Sequence, residues 1–309
     1  MTGSVPFRSG AVSPREYSMN IDALMRSLAA LLAVGGALAI SPASAQNRPF
    51  VVAHRGGALL LPENTLPAFD NALRLGVDML EFDMVMTADN QLVITHDTSV
   101  NPSFCTANGV APGPVRAMKL ADVLKFDCGS THRAIYPTQK PVPGTPMPTA
   151  DAFLARYAKA NVMFFGETKM PKPGEGSVDP VAFAKKVDAL VRKYGLEGRY
   201  ILQSFDWRTI DAMHEVNPRI PTCLLGVWRE KADYLELARA HHATCLLLRL
   251  QDADAAEVKR LRAAGVQVFS DVVDDEAGWR AYLARGDDAI FTNDPAGLTA
   301  FLHRTASAR

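Results

Sequence analysis

Nine short strand-like runs alternate with amphipathic helical patterns along most of this chain. The runs lie at 51–54, 79–86, 91–96, 162–167, 200–203, 221–226, 244–248, 266–270 and 288–292. Helical periodicity falls between most of them, at 64–75, 149–160, 180–194, 207–216, 231–241, 253–264, 276–285 and 295–304. Continuous apolar strands separated by helices imply a parallel sheet covered on both faces. Eight such units closing on themselves make a TIM-type (β/α)8 barrel, and 309 residues suffice for one. The ninth run is explained by Ala88-Asp89-Asn90-Gln91, a link too short for a parallel crossover. It predicts an antiparallel hairpin. With Asp89-Asn90 as a two-residue loop, Ala88 faces Gln91 and Asp83 falls opposite His96. Residues 98–148 break the alternation and carry five prolines between 137 and 148. They read as an insertion after the hairpin, on the C-terminal face where βα loops carry function.

The first 45 residues read differently. Arg26 precedes a small apolar run at 28–40, and Ser41-Pro42-Ala43-Ser44-Ala45 follows. A basic residue, a short apolar core and an Ala-x-Ala end form a secretory signal peptide. The run is too short for a comfortable membrane span. With Met25 or Met19 as the start and cleavage after Ala45, residues 46–309 form the exported domain, periplasmic or secreted. A formal net charge of zero argues against nucleic acid as a partner. Of the four cysteines, Cys105 and Cys128 lie in the insertion and can pair in an oxidising compartment. Cys223 and Cys245 lie in strand runs and read as small buried apolar residues. No Cys-x-x-Cys spacing occurs, which disfavours a zinc–thiolate site.

Polar clusters fall at strand ends. His54-Arg55-Gly56 follows the first run, placing a proton carrier and an anion binder at one mouth, and Gly56 and Gly57 would let backbone approach a ligand. Glu81 and Asp83 sit two apart, hence on one face of a strand, among apolar neighbours. Close buried carboxylates repel unless a cation lies between them. Hard oxygen ligands suit Mg²⁺ or Ca²⁺ rather than zinc. Glu167 and Lys169 repeat the spacing at another strand end, adding a third acid and a positive charge for a phosphate oxygen. His96-Asp97 ends the hairpin, so two imidazoles would flank the cation, one able to accept a proton and one to donate it. Gln203-Ser204-Phe205 ends a later strand. Thr292-Asn293-Asp294-Pro295 ends the last and can cap the final helix through Asn293 or Asp294.

Taken together, His54-Arg55-Gly56 with Pro62-Glu63-Asn64-Thr65, Glu81-x-Asp83, His96-Asp97, Glu167-x-Lys169, Gln203-Ser204-Phe205 and Thr292-Asn293-Asp294-Pro295 resemble the glycerophosphodiester phosphodiesterase family. The resemblance covers nearly all of residues 46–309, in order. It implies a TIM barrel of the PLC-like phosphodiesterase type and one divalent cation, Ca²⁺ or Mg²⁺. The implied reaction hydrolyses small glycerophosphodiesters to sn-glycerol 3-phosphate and an alcohol. It further implies His54 and His96 as the acid/base pair and Glu81, Asp83 and Glu167 as metal ligands. Arg55, Lys169 and Phe205 would hold the substrate, with Glu63 behind them. The cysteine-bearing insertion resembles that of exported bacterial members. A phospholipase D-like enzyme acting on lysophospholipids shares these parts. An apolar rim on the insertion, from Phe104, Val110, Val115 and Met118, would favour it.

Overall fold

The computed structural model describes Met1, Gly3 and residues 48–307. The leader expected at 26–45 lies outside the described residues. The strands are β1 (Phe50–Ala53), β2 (Met79–Met86), β3 (Leu92–Ile94), β4 (Met163–Thr168), β5 (Tyr200–Ser204), β6 (Thr222–Leu224), β7 (Cys245–Leu248), β8 (Gln267–Val272) and β9 (Ala289–Thr292). Eight of them run parallel in the order β1-β9-β8-β7-β6-β5-β4-β2, and β1 closes the ring by pairing with β2. The helices are α1 (Leu66–Arg74), α2 (Leu120–Val123), α3 (Ala150–Tyr157), α4 (Pro180–Lys193), α5 (Trp207–Val216), α6 (Tyr234–Ala240), α7 (Ala255–Ala263), α8 (Glu276–Arg285) and α9 (Pro295–Ser307). Most begin where a Thr or Asp side chain accepts a first-turn N–H, from Thr65 in α1 to Asp275 in α8. Each such cap contributes about 1 kcal/mol. The eight-strand barrel with helices outside is the architecture expected from the sequence.

Residues two apart on a strand share a face, and this rule positions the site. One face of each strand packs outward against the helices, as Leu80, Phe82 and Phe164 do. The other fills the lumen with Val52, Met79, Phe165, Ile201 and Phe291. Continuing the lumen face toward the C-terminal mouth, Val52 leads to His54, Met79 to Glu81 and Asp83, Phe165 to Glu167, Ile201 to Gln203, and Phe291 to Asn293. The barrel is plugged with apolar side chains below and floored with polar ones above.

Cys223 and Cys245 belong to the same lumen layer. They are directly paired residues of β6 and β7 and form a disulfide. The reading of them as free apolar residues is thereby corrected. Each strand's own pattern reports burial, whereas lateral pairing depends on how far β6 and β7 are staggered. Cys105 and Cys128 are also joined.

β2 outruns β1, which pairs only with Met79 and Leu80, and β3 takes the remaining edge antiparallel to residues 84–86. The hairpin stands as expected but its register differs by one. Thr87 N–H donates to the Gln91 carbonyl at 2.9 Å, so the loop is Ala88-Asp89-Asn90, and Asp83 faces Thr95 instead of His96. Asn90 adopts φ 57°, the left-handed position of a three-residue hairpin loop. The insertion beyond has its own small core of Val100, Val115, Val123, Phe126 and Met147 beside the Cys105–Cys128 bond. Phe104, Val110 and Met118 pack against that core. These side chains form no apolar rim.

Candidate active site

At the end of β1 the chain tightens into a single 3₁₀ turn, His54–Gly56. Arg55 is left-handed (φ 52°), followed by Gly56 at φ 84° and Gly57 at φ 94°. Packing requires both glycines. A Cβ on Gly56 would lie 2.9 Å from Ala68 Cβ of α1, and one on Gly57 2.9 Å from Pro295 Cγ of α9. Gly56→Ala should therefore cost about 2 kcal/mol of stability from strain and overpacking, read by denaturant unfolding. The turn aims the Arg55 N–H at Glu81 Oε2, 2.8 Å away. The Arg55 carbonyl accepts the Asn64 N–H at 2.8 Å, which ties the Pro62–Thr65 segment to the same point.

Asp83 and Glu167 are register partners on β2 and β4, and Glu167 pairs with Gln203 on β5. Glu81, Asp83 and Glu167 are buried, each offering an oxygen within 4.8 Å of the others. Glu81 accepts from Gln203 Nε2 at 2.8 Å. Asp83 Oδ2 accepts from Asn64 Nδ2 at 2.8 Å and lies 3.4 Å from Arg55 Nε. Asp83 Oδ1 and Glu167 Oε1 accept no hydrogen bond of good geometry; Lys169 Nζ stands 3.3 and 2.7 Å from them. Burial and then the Asp83 charge push Glu81 well above the carboxylate range. Burial pushes Glu167 up to about 7 against the pull of Lys169. Burial opposes ionisation of Asp83 too, but Lys169 and Arg55 outweigh it and hold Asp83 well below the usual range. Three buried acids, two with underbonded oxygens, are a donor set for a hard cation.

The two histidines are held differently. His54 Nδ1 meets Asn293 Oδ1 at 2.8 Å, while Asn293 Nδ2 donates to Asp274 Oδ2 at 2.8 Å. An amide whose nitrogen faces a carboxylate must turn its oxygen to the ring, so His54 carries its proton on Nδ1 and leaves Nε2 as a lone pair. Burial, with the Arg55 charge, pushes His54 down to about 3, so the ring is neutral. His96 Nδ1 pairs instead with Asp97 Oδ1 at 2.8 Å, and Asn101 Nδ2 steadies the other oxygen at 3.0 Å. The hydrogen bond from His96 holds Asp97 at about 2, an anion beside the ring.

Arg55 donates from Nη1 to Glu63 Oε1 at 3.0 Å. Phe205 is exposed at the end of β5, its ring centroid 5.8 Å from Lys169 Nζ. Of the site residues expected from the sequence, His54 and Arg55 lie in the turn after β1, Glu81 and Asp83 inside β2, Glu167 at the end of β4, His96, Lys169 and Phe205 just beyond strand ends, and Glu63 in the loop before α1. Direct contacts link Arg55, Glu63, Glu81, Asp83, Glu167 and Lys169 into one cluster. Further participants were not singled out as such: Asn64, Gln203, Asn293, Asp274 and Arg133, the last ion-paired to Glu63 from the insertion. Lumen parity would have found Gln203 and Asn293. Asp294, not Asn293, caps α9, accepting from Gly297 N at 2.9 Å.

The glycerophosphoryl diester phosphodiesterase family model matches residues 54–297. A glycerophosphodiester phosphodiesterase of Bacillus subtilis (strain 168) is 30% identical over 255 residues, spanning 81% of this chain and 85% of its own. The lysophospholipase D GDPD1 of Homo sapiens is 25% identical over 284 residues, spanning 82% and 85%. A solved Silicibacter pomeroyi DSS-3 structure, assigned by name to the glycerophosphoryl diester phosphodiesterases, superposes with a TM-score of 0.77 at 25% identity, covering 84% of this chain and 94% of that one. The matched span runs from the histidine that ends β1 into the first turn of α9, enclosing every strand end described above, and the chain is an enzyme of the glycerophosphoryl diester phosphodiesterase family.

Proposed function

We propose that this enzyme hydrolyses glycerophosphodiesters to sn-glycerol 3-phosphate and an alcohol, with one divalent cation, Mg²⁺ or Ca²⁺, held by Glu81, Asp83 and Glu167. The observation that carries this reading is the convergence of three buried acids within 4.8 Å of one another; two imidazoles, bonded differently, follow β1 and β3. When bound, the cation offsets charge developing on the phosphoryl oxygens. His54, neutral and with Nε2 free, takes the proton of the attacking group, which is either water itself or the adjacent glycerol hydroxyl, whose cyclic phosphate water then opens. His96, backed by the Asp97 anion, donates a proton to the departing alkoxide. Arg55 and Lys169 hold phosphate oxygens, Phe205 covers the substrate, and Glu63 steadies Arg55.

In the metal-free protein Glu167 keeps its proton below about pH 7. Cation binding must displace that proton. Affinity should fall by at least about tenfold per pH unit as the pH drops below 7, and more steeply where Glu81, which burial also pushes toward its neutral form, gives up a proton of its own. Calorimetric titration with Mg²⁺ or Ca²⁺ across that range measures it, and affinity independent of pH would contradict the ligand assignment.

A lysophospholipase D reading is favoured by the likeness to the human relative of that name. Against it, the insertion's apolar side chains turn inward; its exposed large hydrophobics are Leu124 and Ile135. Incubation with glycerophosphocholine, glycerophosphoethanolamine and lysophosphatidylcholine, each with Mg²⁺, Ca²⁺ or EDTA, separates the readings. Cleavage of the first two with cation supports ours. Preferential cleavage of lysophosphatidylcholine supports the alternative. We also propose export to the periplasm or beyond, supported by the two disulfides, which belong to oxidising compartments.

A further inference from the structure

The insertion sends Arg133 to the catalytic centre, where the reaction set out above gives it no part. Its guanidinium lies 3.4 Å from the centroid of the Phe104 ring and 5.0 Å from that of Tyr136. Phe104 adjoins Cys105, so the Cys105–Cys128 bond braces the platform on which Arg133 stacks. The side chain is buried and pairs through Nη1 with Glu63 Oε2. The other Glu63 oxygen accepts from Arg55 Nη1 at 3.0 Å. One carboxylate therefore stands between two guanidiniums, one from the barrel and one from the insertion. Arg133 and Glu63 line the cavity that also contains His96, Asp97 and Asn101.

The consequence follows from how a guanidinium binds acids. A carboxylate with both oxygens free takes a guanidinium by two parallel N–H bonds, turning its fork away from other acceptors. Arg133 occupies Oε2, so Glu63 holds Arg55 through Nη1 alone. Arg55 Nη2 donates to nothing among the described residues. We propose that Arg133 is a positioning residue that shares Glu63 with Arg55 and so keeps the Arg55 fork available to the phosphate of the substrate. This rests on the reading of Arg55 as a phosphate-binding residue. It makes the disulfide-braced insertion part of the phosphate site without requiring it to touch substrate.

The test is a set of variants: Arg133→Met, Arg133→Lys, Glu63→Gln and the Glu63→Gln/Arg133→Met double variant. Each is assayed for kcat and KM on glycerophosphocholine and for inorganic phosphate affinity by calorimetry, with thermal melting as a control for folding. Arg133→Met frees Glu63 to capture Arg55. It should raise KM and weaken phosphate binding by about tenfold, the loss of one charge-assisted contact, with kcat little changed. Arg133→Lys should recover most of that loss. Removing the Glu63 charge in the double variant should release Arg55 and restore binding to the Glu63→Gln level. A double variant no better than Arg133→Met would overturn the proposal, because Arg133 would then bind phosphate itself. So would an Arg133→Met enzyme with unchanged KM and phosphate affinity. The calorimetric arm reads the relay without turnover, so lack of activity on glycerophosphodiesters would count against the substrate reading alone.

Discussion

Replacing His54 with alanine should lower kcat on a glycerophosphodiester by about 10² to 10⁴-fold, the usual scale of general acid/base help, while the protein still folds. The expectation comes from how this ring is held. Asn293 fixes the proton on Nδ1, Asp274 fixes the orientation of Asn293, and burial keeps the imidazole uncharged. A neutral ring with a fixed free nitrogen presents an open proton-acceptor site, and the basicity that burial takes from it must be returned by the negative charge of the bound phosphodiester. Asn293→Ala should repeat part of the loss, since the ring would remain but its tautomer would no longer be set. Kinetics of the two variants beside wild type measure this. A His54→Ala enzyme within a few-fold of wild type would remove His54 from the chemistry.

Asp83→Asn should cost a further large factor, about 10² to 10³-fold in kcat, the scale for removing one preorganised electrostatic contact from a transition state. The change preserves size and removes charge. Asp83 is the acid that its surroundings keep ionised, with Lys169 at 3.3 Å and Arg55 at 3.4 Å, while burial pushes Glu81 and Glu167 toward their neutral forms. On the proposed reading it is thus the ligand that would supply negative charge before any cation arrives. Calorimetry should find cation binding to Asp83→Asn greatly weakened at concentrations that saturate wild type. Retention of both binding and turnover would move the cation elsewhere.

The parts of this molecule written in one dimension were legible before its structure. Strand–helix alternation declares the barrel, and the two-residue repeat puts Glu81 with Asp83 and Glu167 with Lys169 on shared faces. What the sequence concealed is lateral. The hairpin register turned on whether the loop held two residues or three: Asn90 but not Asp89 has a left-handed backbone, which fits the last position of a three-residue loop and not a type I′ pair. The Cys223–Cys245 bond depends on the stagger of two strands that each look merely apolar. Gly56 and Gly57 are also demanded by packing, since Ala68 and Pro295 fill the space a Cβ would take. Asn293 sits one residue before the true helix cap, and local capping rules do not tell which of two neighbours is spare for the site. Arg133 reaches Glu63 from a loop 70 residues away in sequence, where no periodicity points to it.

The most direct test of the account is a cation titration of chelator-treated enzyme, following release of sn-glycerol 3-phosphate from glycerophosphocholine alongside metal binding. Turnover should be absent without added metal and should return in step with one Mg²⁺ or Ca²⁺ per chain. Full turnover in metal-free buffer, or activity that returns out of step with binding, would contradict the assignment of Glu81, Asp83 and Glu167 as the ligands on which hydrolysis depends.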